Sequence, residues 1–495
     1  MKLTVKPAVY DFSKNDFVAL FLSEEYEKDI GYQVIPELSF IKDKADLSSF
    51  KGKSSETMFL PLKHHPNVIL IGLGRKNKIT IDSLRENAGS LVKVCRQRKI
   101  SRLNLVLPVV NGHDELSVAG SIAEGLVLSD YSFNKYKSMN EEENDQSFYE
   151  LKETRIFCEH PENVSAILKN TEIICNNTKL CRDLVNESSE LSNPVAIARK
   201  ASSLAKLKGV TCKVYNKKDI EKLKMGLLLA VSKGSAFPPQ LVILKYNGNP
   251  AGKKRAAIVG KGITYDSGGM NLKPSSAIED MRSDMSGAAV CIYAVKAAAE
   301  LRLKKNIVAV IPLCENMLSN NSYRAGDVFK AYNGKNVEIG NTDAEGRLLL
   351  ADAVAFTEKV IQPDYIIDIA TLTGACLVSF GETFAALLSN NDELAEMIYN
   401  AGTATGEKVW RLPFDKEYDE LIKSDIADIK NVGQGRNAGT IVGASFVKNF
   451  IKDAAWAHID IAGTSWYSKA RGYVPKYATG FGVRLFLELF NSLNL

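Results

Sequence analysis

Histidine is scarce in this chain, with five among 495 residues, at positions 64, 65, 113, 160 and 458. Only His458 falls beyond residue 160, which excludes a His-rich zinc centre of the HExxH kind there and leaves little room for a Ser-His-Asp triad. The other four have no partners at ligand spacing and read as surface or loop residues. Paired cysteines are missing as well. The eight cysteines, at 95, 158, 175, 181, 212, 291, 314 and 376, form no CxxC pair. That pattern fits buried, reduced thiols in a cytoplasmic protein better than a disulfide framework or a zinc ribbon. No apolar run approaches the roughly 18 residues of a membrane span. The opening Met1-Lys2-Leu3-Thr4-Val5-Lys6 lacks the apolar core of a signal peptide, so a cytoplasmic location without a membrane is expected. Charge of one sign is not in excess, at +5 overall. Lys93, Arg96, Arg98, Lys99 and Arg102 make a local basic cluster, read first as a solvated helix face with nucleic acid as the disfavoured partner. A phosphate loop is absent too, because Lys261 is followed by Gly262-Ile263 where a Walker sequence requires Ser or Thr.

What is present is the composition of a globular protein, 45% hydrophobic and 24% charged, in a chain too long for one ordinary core. Short apolar runs alternate with helical patterns. In the first part, strands are expected at 58–61, 68–72 and 102–108, with helices at 81–98 and 116–129. An acidic polar loop is expected at 140–145 and a long helix at 163–186. Later strands are expected at 211–215, 240–246, 255–260, 306–313, 365–371 and 456–462. Helices are expected between them at 193–209, 218–224, 283–301, 348–361 and 392–405. The Asn333-Gly334 pair signals a tight hairpin, taken as an antiparallel part of the sheet. The expected fold is α/β in two domains: a smaller N-terminal α/β domain over 1–165 for assembly or regulation, a connecting helical segment at 166–190, and a larger C-terminal catalytic α/β domain over 191–495. The larger domain has a central mixed sheet flanked by helices.

The chemistry concentrates between Lys261 and Arg347. Gly260-Lys261-Gly262-Ile263-Thr264-Tyr265-Asp266-Ser267-Gly268-Gly269 follows an apolar run, and Asn341-Thr342-Asp343-Ala344-Glu345-Gly346-Arg347 precedes a helical pattern. Lys273 and Asp284 lie between them. Loop ends on a rigid scaffold are where binding chemistry gathers. Carboxylates converging on one pocket repel one another unless cations neutralise them, and two bridged divalent ions are the usual solution. Beside such ions Lys261 is either an ordinary ion-pairing ammonium or a deprotonated ligand. A lone Asp at a helix start, as Asp284 is, most often serves as an N-cap. His458 reads most simply as a buried, hydrogen-bonded structural residue.

These blocks closely resemble the leucine aminopeptidases, also called cytosol aminopeptidases. Asn341–Arg347 with Leu348 corresponds to that family's signature octapeptide, and Gly260–Gly269, Lys273-Pro274-Ser275 and Met281-Arg282-Ser283-Asp284 match its other blocks in order and spacing. The likeness runs from Arg182-Asp183-Leu184-Val185-Asn186 through Pro312-Leu313-Cys314-Glu315-Asn316 to Trp456–Gly463. It implies a metal-dependent aminopeptidase that removes leucine and other mainly apolar N-terminal residues from peptides. Two divalent ions per subunit are implied, zinc or manganese, with magnesium or cobalt as alternatives. One would take Lys261, Asp266, Asp284 and Glu345; the other would take Asp266, Asp343 and Glu345 with the Asp343 carbonyl. Lys273 would be the catalytic electrophile, and Arg347 would hold a bicarbonate acting as general base. Met281, Asn341, Thr371, Gly374 and Ala462 would lie by the substrate side chain. The family's homohexamer is implied too. Residues 464–476, rich in Tyr, Trp and Lys, depart from the family's pattern and leave the order of preference among leucine, methionine and aromatic residues open. Two other readings compete: a DNA-binding regulator using the basic cluster, and a catalytically silent structural hexamer of the same fold.

Overall fold

The computed structural model describes residues 1–25, 47–138, 149–433, 435 and 437–495, so the acidic loop expected at 140–145 lies outside the described residues. The chain divides into two units, Met1–Asn176 with Lys469–Lys476, and Asn177–Ser468 with Tyr477–Leu495. The division falls inside the long helix Pro161–Asn186.

In the first unit, β1 (Lys2–Pro7), β2 (Phe17–Ser23), β3 (Thr57–Leu60), β4 (Asn67–Gly74), β5 (Arg102–Val106) and β6 (Glu153–Cys158) form a sheet in the order β1-β6-β5-β2-β4-β3. All pairs are parallel except β3–β4. β2 and β4 are apolar along almost their whole length and buried, as parallel strands covered on both faces must be. The helices Ile81–Gln97 and Glu115–Ser129 start where Thr80 and Asp114 accept hydrogen bonds from first-turn amides. Their inward residues, among them Leu84, Leu91, Ile122 and Leu126, pack on Ile69 and Ile71.

The second unit is built on β7 (Val210–Tyr215), β8 (Gln240–Asn247), β9 (Ala256–Gly260), β10 (Gly262–Asp266), β11 (Asn306–Asn316), β12 (Val328–Lys330), β13 (Asn336–Glu338), β14 (Tyr365–Ala370), β15 (Ala385–Ser389), β16 (Val409–Arg411), β17 (Ile429–Lys430) and β18 (Ala455–Asp460). The main sheet runs β16-β15-β18-β14-β9-β11-β8-β7, with β10 added beside β11. Its centre, β18-β14-β9-β11, is parallel. β7, β8 and β15 make the antiparallel pairs, so the sheet is mixed. Leu348, Leu349, Val354 and Phe356 of the helix Gly346–Phe356 belong to the core that also holds Val259, Val310, Ile366 and Trp456.

Several expectations need correction. Asn333-Gly334 does turn a hairpin, β12–β13, but that hairpin belongs to a separate sheet with β17 and is closed by a longer loop, Ala331 N–H to Lys335 O and Gly334 N–H to Ala331 O. The antiparallel part of the main sheet comes from β7, β8 and β15 instead. Residues 262–266, read as loop, form β10, because the pairing with β11 outweighs the glycines. The helix expected at 283–301 is a 3₁₀ turn, Met281–Met285, followed by the helix Ser286–Glu300. The helix expected at 193–209 ends at Ser202 and passes into a 3₁₀ turn.

Close approach fixes the junction that matters most. A Cβ on Gly287 would sit 2.1 Å from the Ile369 carbonyl oxygen and 2.9 Å from the Lys261 nitrogen. Only glycine lets the first turn of this helix press onto the ends of β9 and β14, and that contact carries Asp284 to Lys261.

Seven of the eight free cysteines are buried and Cys212 is partly exposed. Burial pushes the Cys95 thiol up to about 12, and the Cys158 thiol, also beside Glu115, up to about 11. Burial raises the Cys212 thiol too, so a thiol reagent at neutral pH should modify Cys212 first and slowly in the native protein and all eight in denaturant; rapid labelling of several thiols in the folded state would contradict the burial.

Candidate metal and catalytic centre

The strands β9, β10, β11, β14 and β18, parallel to one another, deliver their C-terminal ends to one edge, where open α/β sheets bind ligands. β9 ends into Lys261, β10 at Asp266, β11 at Asn316, β14 into Thr371 and β18 at Asp460. Onto this edge come the 3₁₀ turn Met281–Met285 and the loop 340–345.

Carboxylates and lysines interlock there. Lys261 Nζ lies 2.8 Å from Asp284 Oδ1 and 2.9 Å from Glu345 Oε1, and it donates to the Thr371 carbonyl at 2.8 Å. Lys273 Nζ lies 2.8 Å from Asp266 Oδ2 and 2.5 Å from Asp343 Oδ1. Lys261, Asp266, Asp284 and Glu345 are buried, whereas the Asp343 side chain is one-third exposed. Carboxylate oxygens of Asp266, Asp343 and Glu345 all fall within 4.8 Å of one another. A Cβ on Gly346 would touch the Lys261 side chain at 2.5 Å, so the glycine after Glu345 makes room for the lysine.

The electrostatics follow from that crowding. Burial, with Glu345 and Asp284 adding repulsion, pushes the Asp266 carboxyl well up. Burial likewise raises Asp284 and Asp343 against the pull of Lys261 and Lys273 respectively. Glu345 goes the other way, because Lys261 and Lys273 together outweigh its burial. Both lysines are held above their usual range, since the surrounding carboxylates overcome desolvation. Two ammonium groups thus stand among four acids and neutralise part of their charge. Asp284 Oδ2 and Glu345 Oε2 are nevertheless buried without a hydrogen-bond partner among the described residues. Orphaned anionic oxygens are costly unless a cation meets them, so this donor set fits a hard divalent metal.

Asp284 is not a helix cap. Its Oδ1 accepts from Lys261 and from Thr371 Oγ1 at 2.7 Å, and no side chain caps the helix that follows. Arg347, in the first turn of Gly346–Phe356, is buried; its Nη1 donates to the Asn431 carbonyl at 2.8 Å, while its Nε has no partner among the described residues. Burial lowers this guanidinium to about 10, partly countered by Glu345 and Asp460.

The substrate-side residues are gathered in part. Thr371 is tied to Asp284 as described. Ala462 N–H and Leu372 N–H both reach Asp460 Oδ1 at 3.1 Å, and Thr373 Oγ1 donates to Asp460 Oδ2 at 2.6 Å. Asp460 thereby joins the strand ends that carry Thr371, Gly374 and Ala462. Met281 is half-buried in the turn with Asp284, and Asn341 is half-buried with its Oδ1 accepting the Asp343 N–H at 2.8 Å. No hydrogen bond or ion pair joins these two to the Thr371–Ala462 group among the described residues.

Sequence reasoning missed the residues that hold the loops. Asn316 Nδ2 donates to Asp266 Oδ1 at 2.8 Å and to the Thr342 carbonyl at 2.9 Å. Asn271 and Thr342 exchange bonds through N–H, Oδ1 and Oγ1. Asn431 and Asp460 act in the same way, and amide residues inside loops carry no pattern that sets them apart.

His458 stands outside the centre. Its Nδ1 meets Asp368 Oδ1 at 2.5 Å, and Trp456 Nε1 donates to Asp368 Oδ2 at 2.7 Å in a fully buried triad. Its burial would lower the imidazole, but Asp368 overrides that and raises it. In the first unit the basic cluster is partly engaged: Arg96 pairs with Asp130, Arg102 with Glu153, and Arg98 lies over the Phe59 ring at 4.5 Å. No helix among the described residues is long and apolar enough to cross a membrane.

Comparison with known proteins converges on one group. The model of the cytosol aminopeptidase family, catalytic domain, matches residues 179–487, and that of its N-terminal domain matches residues 38–140. A probable cytosol aminopeptidase of Protochlamydia amoebophila (strain UWE25) is 42% identical over 450 residues, 90% of this chain and 89% of the relative. One from Geobacter sp. (strain M21) is 40% identical over 449 residues, 90% of each chain. The solved structure of the bottromycin maturation enzyme BotP is similar with a TM-score of 0.85 at 29% identity, over 97% of this chain and 99% of that one. A BotP complex with Mn matches at 0.85 and 30% identity, over 96% and 99%.

If the carboxylate cluster binds a divalent ion in the folded state only, adding Mn²⁺ to chelator-treated protein must raise its thermal midpoint, by the equivalent of about 2.7 kcal/mol at a hundredfold excess over Kd. Asp343→Asn, at the most accessible of the acids, should lose most of that rise; an equal rise in the variant would move the metal elsewhere.

Proposed function

The chain belongs to the cytosol aminopeptidase family of metallo-exopeptidases, and from that premise we propose that it hydrolyses the N-terminal residue, leucine and other mainly apolar ones, from peptides. The observation that carries the reading is the buried meeting of Asp266, Asp343 and Glu345 with Lys261 and Lys273, with unpartnered oxygens on Asp284 and Glu345. Lys261, Asp266, Asp284 and Glu345 would hold one divalent ion; Asp266, Asp343, Glu345 and the Asp343 carbonyl would hold the other. Lys261, an ammonium among its carboxylates here, would join that set as a neutral amine, because a dication beside it disfavours the charged form; zinc and manganese suit one amine and several carboxylates, and the Mn-bound BotP structure supports manganese. When bound, such ions supply Lewis acidity, activating water near neutral pH and polarising the carbonyl.

The chain's own groups do the rest. Lys273, a cation kept fully charged by its carboxylate neighbours, stabilises the negative charge that develops on the scissile carbonyl oxygen. Arg347, buried and with Nε unpaired among the described residues, would hold bicarbonate through its planar guanidinium, and that ion would supply a general base when bound. Thr371 and Gly374, on the loop that Asp460 holds through Leu372 and Thr373, and Ala462, whose N–H Asp460 accepts, would line the place of the first side chain with Met281 and Asn341. Small residues and a methionine suit apolar groups of varied shape.

The N-terminal part, through residue 165, serves assembly or regulation, residues 166–190 connect it, and residues 191–495 carry the chemistry. A homohexamer is the expected assembly. Support comes from apolar groups left exposed on the second unit, Leu377, Val378, Tyr399 and Trp410.

Leucine- and methionine-p-nitroanilide should be hydrolysed faster than the arginine compound once Mn²⁺ or Zn²⁺ is restored to chelator-treated protein. Lys273→Ala should lower kcat by about 10²–10³, the usual loss for one oxyanion donor, with the metal-induced thermal shift retained. Folded, metal-binding protein that cleaves none of these substrates would sink the peptidase reading.

A further inference from the structure

We infer that Asn431 is a positioning residue that sets the carboxylate loop and Arg347 in register with each other. The inference builds on the aminopeptidase reading for its kinetic consequence, but not for its structural one. Asn431 is fully buried, immediately after β17. β17 runs parallel to β13, with Lys430 opposite Glu338, and Asn431 N–H donates to the Glu338 carbonyl at 3.0 Å. That pairing sets the asparagine beside the chain as it leaves β13 for the loop 340–345.

The side-chain amide and the main-chain carbonyl of the residue are then spent on that loop and its sequel. Oδ1 accepts from Gly340 N–H at 2.7 Å and Asn341 N–H at 3.3 Å. Nδ2 donates to the Asn341 carbonyl at 2.8 Å and the Ala344 carbonyl at 3.2 Å. The main-chain carbonyl accepts from Arg347 Nη1 at 2.8 Å. One amide therefore grips the loop on both sides of Asp343, just before Glu345, while the same residue's backbone aims the guanidinium two positions further on. Neither aspartate nor a hydrocarbon side chain can do this. The side chain must accept twice and donate twice, and only a primary amide of this length offers both.

Partners that hold ligating or catalytic groups typically govern metal affinity and turnover by 10–100-fold when removed. Asn306 provides a matched control at the far end of β11. Its Oδ1 accepts from Asn249 N–H, and its Nδ2 donates to the carbonyls of Asn249, Gly252 and Lys254, so it too clamps a loop through backbone groups, away from the carboxylates.

The test compares Asn431→Ala, Asn431→Asp and Asn306→Ala in the full chain. Mn²⁺ affinity is read by calorimetry on chelator-treated protein, and kcat and KM by leucine-p-nitroanilide hydrolysis. Asn431→Ala should weaken Mn²⁺ binding and lower kcat, each by about 10–100-fold, with KM moving less than kcat. Asn306→Ala should leave both within about twofold, whatever its thermal cost. Asn431→Asp keeps the two acceptor contacts and loses the two donors; it should also bind Mn²⁺ more weakly than wild type, and it decides the matter if the alanine variant does not fold. Equal losses in the Asn431 and Asn306 variants would reduce the role to general stability, and wild-type affinity and kcat in an Asn431 variant would overturn it outright. Wild-type protein that binds Mn²⁺ but cleaves no peptide would remove the aminopeptidase reading, while the affinity comparison would still judge the clamp.

Discussion

Four carboxyl groups brought to one sheet edge, most of them buried, set the terms for the rest of the second unit. Like charges at that spacing raise one another's proton affinity and oppose folding unless cations stand among them. Lys261 answers Asp284 and Glu345, and Lys273 answers Asp266 and Asp343. The ammonium groups neutralise part of the charge and leave oxygens on Asp284 and Glu345 bare. A protein that retains such an arrangement bears its cost for the sake of what enters the cluster. A divalent ion is the species whose charge and preference for oxygen match.

Holding that cluster requires rigid backbone on several sides. The parallel strands supply direction, and their ends present Lys261, Asp266 and Thr371 to a common point. Gly287 and Gly346 supply proximity, since a side chain at either would drive the helix or the loop off Lys261. Buried amides and Asp460 supply the last constraint by converting flexible loops into fixed ones. Many of these bonds run to backbone groups, and the amides carry no charge of their own, so they define geometry without adding charge to the centre.

The α/β class, most strands near the centre and the chemistry-bearing stretch were legible in the sequence. Alternating apolar runs force a sheet covered by helices, and glycine-flanked acids at the ends of those runs can only lie on its edge. Three features were not legible. The pairing of β10 with β11 overrides a glycine-rich sequence that reads as loop. The Asn-Gly turn was recognisable, but the sheet it joins is decided by β17, about ninety residues away. Asp284 resembles a helix cap until the fold brings Lys261 and Thr371 to it.

By itself, the sequence determined which groups are available: a near absence of histidine, four carboxylates and two lysines at element ends, and an arginine behind a glycine. Those are covalent facts, and they favour chemistry built on a carboxylate-held metal and fixed cations over a histidine-based centre. Tertiary structure alone decided which lysine meets which acid, that His458 spends its ring on Asp368 away from the centre, and that Asn431 binds the acidic loop and Arg347 together. The reason is one of range. Local pattern fixes the conformation of a few successive residues, whereas these contacts, Lys273 with Asp266 excepted, join residues between 23 and 91 positions apart along the chain, and only packing brings them within reach.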